Sequence, residues 1–146
     1  MLTFSNRSIK NLIKVNPILV FFSYELQSHM NNLQLLNLPY IDFTIVEGRR
    51  TKKRQKHLFD NNFSKTLNSK HITGDALDIY PCINGKVSQD LEHFKLLINI
   101  ATDFINSKNL PIFNGFMKWS WDMAHYEIDN SKYYNTPNNI ITKLTK

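Results

Sequence analysis

The sequence predicts an α+β fold, and three observations carry that prediction. Apolar residues recur at helical spacing in two long stretches, and three short segments read as strands. The two kinds of element do not alternate in the regular order of a parallel βαβ sheet. The chain has 146 residues, 42% hydrophobic and 21% charged, enough for one core and too few for a comfortable second. We therefore expect residues 1–146 to form a single domain with one site.

The elements follow in chain order. Asn16 and Pro17 read as an N-cap and a first helical residue, after which Leu19, Phe22, Leu26, Met30 and Leu33 recur at helical spacing. This is a core-packing helix. After Pro39, residues 41–46 alternate and are rich in β-branched and aromatic types, so they read as a strand ending at Glu47 and Gly48, with Arg49 and Arg50 at its exit. Thr51 caps a helix running to about residue 61, with Leu58 and Phe59 turned inward and Lys52, Lys53, Arg54 and Lys56 solvated. Lysines in a first turn oppose the helix macrodipole, a hint that this cluster serves more than stability, although basic runs are usually a solvated face. Residues 88–105 give the clearest helix: Leu91, Phe94, Leu97, Ile98, Ala101, Phe104 and Ile105 form one stripe, with Asp90 and Glu92 in the first turn. Strands are expected at 76–80 and 124–128, and Thr136-Pro137 can start a short last helix ending near residue 144.

Composition removes several classes of function. The prolines and glycines show no period and nothing repeats at solenoid spacing. The single cysteine, Cys82, cannot form an internal disulfide, and there is no thiolate pair to hold a metal. Any metal must use imidazole and carboxylate. The longest apolar run, residues 18–22, is far short of the roughly 20 residues of a membrane span, so no stable membrane insertion is expected. No cleavage site follows it, and the mature chain is expected to begin at Met1 in a cytoplasm. A formal net charge of +6 and a pI near 9.4 favour anionic partners without choosing among them.

Two clusters could carry chemistry. In the first, His71 precedes Asp78 by seven residues with Gly74 between them, and a turn there can bring the two side chains together. On a strand from Ala76, Leu77 and Ile79 share one face while Asp78 and Tyr80 share the other. In the second, Tyr126 and Ile128 can face the core while His125 and Glu127 point the opposite way. Two histidines and one carboxylate, with a fourth position left for water, suit catalytic zinc better than a closed structural site. Asp122, three residues before His125, could reach such a water as a general base. Each residue also has an ordinary reading: an aspartate beside a turn caps backbone amides, and a histidine on a strand is usually a surface or hydrogen-bonded residue. Ser69 is more often a local cap, Glu127 an exposed side chain, and Tyr80, Trp119 and Trp121 are as easily core as groove. His29, His57, His93 and Cys82 read as structural or surface residues.

The two clusters together resemble a known family. Ser69-x-His71-x-x-Gly74-x-Ala76-x-Asp78, then Trp119 and Asp122-x-x-His125, with Glu47-Gly48-Arg49-Arg50-Thr51 and Gln55 upstream, are similar to the zinc D-Ala-D-Ala carboxypeptidase superfamily. Within it they are most similar to phage L-alanyl-D-glutamate endopeptidases used as endolysins. The resemblance covers roughly residues 17–128. Ala124 stands where many relatives have proline, and Tyr126 where phenylalanine is common.

The resemblance implies a small, mainly antiparallel sheet with helices packed on it, the Hedgehog/DD-peptidase fold. It implies His71, Asp78 and His125 as ligands of Zn2+, Asp122 as general base, Arg50 steadying the scissile carbonyl oxygen, and Ser69 in support. The implied substrate is a peptidoglycan stem peptide, cut between L-Ala and D-Glu to lyse the host. A monomer would act on the wall after holin-assisted release from the host cytoplasm, with no separate wall-binding domain. A basic rim of Arg49, Lys52, Lys53 and Arg54 would attract the substrate's carboxylates. The rival inside the superfamily is a D-Ala-D-Ala carboxypeptidase or dipeptidase. The rival outside it is a basic module binding wall polymer or nucleic acid, although no aromatics interleave the Lys/Arg cluster and no common nucleic-acid motif is present.

Overall fold

The structure, a computed structural model, describes residues 1–133. The expected helix near residues 136–144 lies outside them. Its elements are α1 (Asn6–Asn11), α2 (Pro17–Leu35), β1 (Asp42–Glu47), α3 (Lys52–Asp60), β2 (Ala76–Ile83), β3 (Lys86–Val87), α4 (Leu91–Ser107), β4 (Ile112–Asn114), α5 (Gly115–Trp119), β5 (His125–Ile128) and α6 (Asn130–Tyr133). The strands form an antiparallel sheet in the order β1-β2-β5-β4, with β3 paired to β2 as a hairpin. The α+β class is borne out.

The long helices start where side-chain oxygens take up free amides. Asn16 accepts from the Ile18 amide and Asp90 from the Glu92 amide, so α4 starts after Asp90, where the apolar stripe begins and three residues later than the expected start at Ser88. Both helices pack against the sheet. Phe22 of α2 meets Phe104 of α4 and Tyr126 of β5, and Phe22 and Tyr126 are fully buried. Leu77 and Ile79 point into this core, as the strand parity requires.

Two parts of the sequence reading are corrected here. In α3, Phe59 is 39% exposed, and the buried residue is instead Gln55. This helix spends its inner face on an amide with polar partners, while Leu58 is half-buried at the edge of that face. β2 also runs past Tyr80 to Ile83. Asn84 and Gly85 take left-handed φ of 51° and 76°, the geometry of a two-residue hairpin turn that returns the chain into β3.

Register is what places the site. β2 is flanked by β1 and β5, and Asp78 pairs with Glu47 on one side and His125 on the other. Ile45 pairs with Ile79, so unbroken antiparallel pairing would put Val46, not Glu47, opposite Asp78. A bulge between Ile45 and Glu47 supplies the extra residue and brings Glu47 alongside Asp78. Asn11 of α1 holds the bulge, its side-chain amide donating to the carbonyls of Ile45 (2.8 Å) and Val46 (2.9 Å).

Candidate active site

The chain enters the site from β1 through Gly48, where a Cβ would come within 1.8 Å of the Asn11 carbonyl oxygen; only glycine fits. The Gly48 carbonyl accepts a 2.7 Å hydrogen bond from His71 Nδ1. The Arg50 amide in turn donates to the His71 carbonyl at 2.8 Å. Ser69 caps the His71 amide through its hydroxyl at 3.2 Å, and Gly74, at φ +80°, turns the chain towards β2. His71 is thus fixed by backbone on both sides and buried.

Because a carbonyl only accepts, His71 Nδ1 carries the proton and Nε2 presents its lone pair towards Asp78 Oδ1, 3.2 Å away. On the neighbouring strand, His125 Nε2 donates to Glu127 Oε2 at 2.9 Å, which leaves Nδ1 facing the same Asp78 oxygen at 3.5 Å. The donor atoms of His71, Asp78 and His125 all lie within 4.8 Å of one another. Donors around a tetrahedral ion with bonds of about 2.0–2.1 Å stand about 3.4 Å apart, and the two Asp78 separations bracket that value. The outward nitrogen of each ring is already occupied, by the Gly48 carbonyl and by Glu127, as orienting partners of metal-binding imidazoles are. The residues fit a zinc ion.

Electrostatics agree with the geometry. Burial works against a charged Asp78, but the His125 and His71 rings beside it outweigh that and hold the carboxyl well below the usual range. Burial likewise opposes a charged His125, yet the Asp78 and Glu127 carboxylates raise that ring to about 9. The cluster attracts positive charge between its rings. Asp122 shifts the other way: burial raises its carboxyl, His125 opposes this and the charge of Asp78 adds to it.

These groups open into a cleft of about 700 Å³. Ser69, Tyr80, Trp119, Trp121, Asp122 and Glu127 line it, so the three aromatics face the groove. Asp122 is carried on the turn between α5 and β5 at φ 57°. Buried Asn114 fixes that turn: its amide donates to the carbonyls of Met123 (2.9 Å) and His125 (3.2 Å), while its oxygen caps the Phe116 and Met117 amides.

Arg50 also lines the cleft and is buried, held by Glu47 Oε2 and Gln55 Oε1 at 2.6 Å each and standing 3.7 Å from Asp78 Oδ2. Arg49 is exposed and outside this cleft. The rim of Arg49, Lys52, Lys53 and Arg54 expected from sequence does not border it; Lys65 and Lys70 do. Arg49 and Lys52 line a separate hollow with Lys14 and Ile72, and Arg54 is paired with Glu47 at 2.6 Å. His93 bonds to Ser88, His29 packs on Phe104, and Cys82 is buried with its thiol pushed up to about 11, the last chiefly by burial.

Sequence reasoning misses Asn114 and Lys65 as site residues, and it names Gln55 only as part of the family pattern, without a role. Glu127 had a usable signal, since it shares a strand face with His125.

The family model described as phage L-alanyl-D-glutamate peptidase matches residues 1–138. The L-alanyl-D-glutamate peptidase of Escherichia phage T5 is 41% identical over 95 residues, a stretch spanning 62% of this chain and 63% of that relative. Among solved structures, the L-Ala D-Glu endopeptidase ChiX of Serratia marcescens superposes with a TM-score of 0.75 at 24% identity, over 90% of this chain and 93% of that one, and so shares its fold. The chain belongs to the phage L-alanyl-D-glutamate peptidase family.

Proposed function

We propose that this protein is a zinc-dependent peptidoglycan peptidase that hydrolyses the bond between L-Ala and D-Glu in wall stem peptides. The observation that carries the proposal is the His71–Asp78–His125 cluster, its donor atoms all within 4.8 Å of one another, opening into the cleft that Asp122 and Arg50 also line. Zinc bound there supplies Lewis acidity, making water a nucleophile near neutral pH and polarising the scissile carbonyl. Asp122 takes the proton of the attacking water and passes it to the leaving D-Glu amine. The Arg50 guanidinium, braced by Glu47 and Gln55, meets the negative charge growing on the carbonyl oxygen. Gly48 and Glu127 keep the imidazoles in the tautomers that binding requires. Trp119, Trp121 and Tyr80 form apolar walls for the peptide.

In a phage infection the enzyme would act on the host wall. No helix of the described residues is long and apolar enough to cross a membrane, and release from the host cytoplasm through a separate pore such as a holin is part of this proposal.

Metal removal tests the reading. Chelation should abolish digestion of purified peptidoglycan and stoichiometric zinc should restore it, with one zinc per chain lost in His125→Ala. Digestion that is indifferent to chelator would refute the metal mechanism.

A further inference from the structure

The charged groups lining the cleft are almost all engaged with one another. Glu47 holds Arg50 and Arg54, Glu127 holds His125, and Asp78 faces both imidazoles. Among the described residues, Lys65 and Lys70 are the cleft cations without a carboxylate partner. Lys65 is also placed. Its ammonium lies 4.4 Å from the centroid of the Trp121 ring, so a side chain from the segment between α3 and β2 spans to one from the turn between α5 and β5. Both neighbours of Lys65 are tied down, since the Gln55 side-chain amide donates to Ser64 Oγ (2.8 Å) and to the Thr66 carbonyl (2.6 Å). The same Gln55 accepts from Arg50. Trp121 stacks on Trp119 at 5.7 Å, and the Trp119 ring lies 5.7 Å from that of His125. A continuous ladder of rings thus leads from His125 to the Lys65 ammonium.

We infer that Lys65 is a specificity residue, taking a free carboxylate on the leaving-group side of the scissile bond. The inference rests on the peptidase reading above. On the acyl side of that bond, L-Ala offers no carboxylate. On the leaving side, D-Glu is linked onward through its side chain and keeps its α-carboxylate, and later residues of the stem carry their own. A carboxylate meeting a positioned ammonium gains a charge-assisted hydrogen bond, whereas an amide at the same place offers only a neutral acceptor. Lys65 would therefore make the enzyme prefer acidic stems over amidated ones.

The test is steady-state kinetics on soluble stem peptides in three forms: all carboxylates free, amidated at the D-Glu α-carboxyl, and amidated at the residue after it. Wild type is compared with Lys65→Met, Lys65→Arg and Lys70→Met. For the free acid, Lys65→Met should raise KM about tenfold or more with kcat little changed, and Lys65→Arg should restore most of the loss. Against one of the amidated stems Lys65→Met should behave as wild type, and which stem that is identifies the carboxylate. Equal losses on all three stems would mean that Lys65 only holds its loop, and loss of the preference in Lys70→Met alone would move the role to Lys70; either overturns the inference. Cleavage of every stem by wild type with no preference also overturns it while leaving the peptidase reading intact. Cleavage of none refutes that reading, and this inference with it.

Discussion

Asp122 occupies a left-handed backbone conformation, φ 57°, which costs a non-glycine residue of order 1 kcal/mol or more. The fold tolerates this because Asn114 ties down the turn and Gly115 lets it pack closely, a Cβ there lying only 2.7 Å from the Asp122 carbonyl oxygen. Asp122→Asn keeps shape and hydrogen-bonding volume but cannot accept the proton. We expect kcat to fall by about 10²–10⁴ with zinc content unchanged; a fall of less than about threefold would remove Asp122 as the base. Glu127→Ala should weaken zinc binding about 10–100-fold in a competition assay, and Glu127→Gln, which still accepts from His125 Nε2, should lose much less. Unchanged affinity in both variants would show that the contact orients nothing. At this scale the sequence was legible wherever strand parity spoke: Asp78 and His125 point where a period of two puts them. The burial of Gln55 was not legible beyond its place in the family pattern, because a lone amide among lysines on a short helix gives no sign that its face is the buried one.

The elements place these residues through two close approaches. Gly48 abuts the end of α1 and Gly74 the segment joining α1 to α2, with added Cβ atoms 1.8 Å from the Asn11 carbonyl oxygen and 2.4 Å from that of Lys14. Gly48 also lends its carbonyl to His71, so stability and site geometry share one point. Gly48→Ala should cost about 1–3 kcal/mol in urea unfolding and lower activity beyond the loss of folded protein. Full stability and activity in that variant would contradict the steric reading. The long helices could be read in advance from caps and apolar spacing. The short elements β4 and α5 could not, because three to five residues carry too little periodicity, and the bulge in β1 is invisible until β1 is aligned with β2.

Over the whole molecule, an apolar core under one face of the sheet leaves the opposite face of β2 and β5 free to carry charge. Glu47 joins the two functions. Burial raises its carboxyl, but hydrogen bonds from Arg50 and Arg54 outweigh this and leave it lowered. A carboxyl lowered by folding stabilises fully above its unfolded value of 4.5, and that stability is lost as pH falls through the folded value. Glu47→Gln should therefore be about 1–3 kcal/mol less stable than wild type at pH 7, and the gap should close as the pH is taken below 4.5. A gap that persists at low pH would assign the loss to packing instead of charge. The α+β class and the family were readable from composition, element order and spaced motifs. The charged lining of the cleft was not, because which cations reach it depends on loop paths that no local pattern encodes; Arg49, Lys52 and Lys53 lie outside it while Lys65 is inside. Mass spectrometry of peptidoglycan fragments after digestion, with His125→Ala as control, tests the proposed activity most directly. New carboxyl ends on L-Ala and new amino ends on D-Glu, absent from the variant digest, are the predicted result. Released D-Ala, or fragments identical in both digests, would contradict it.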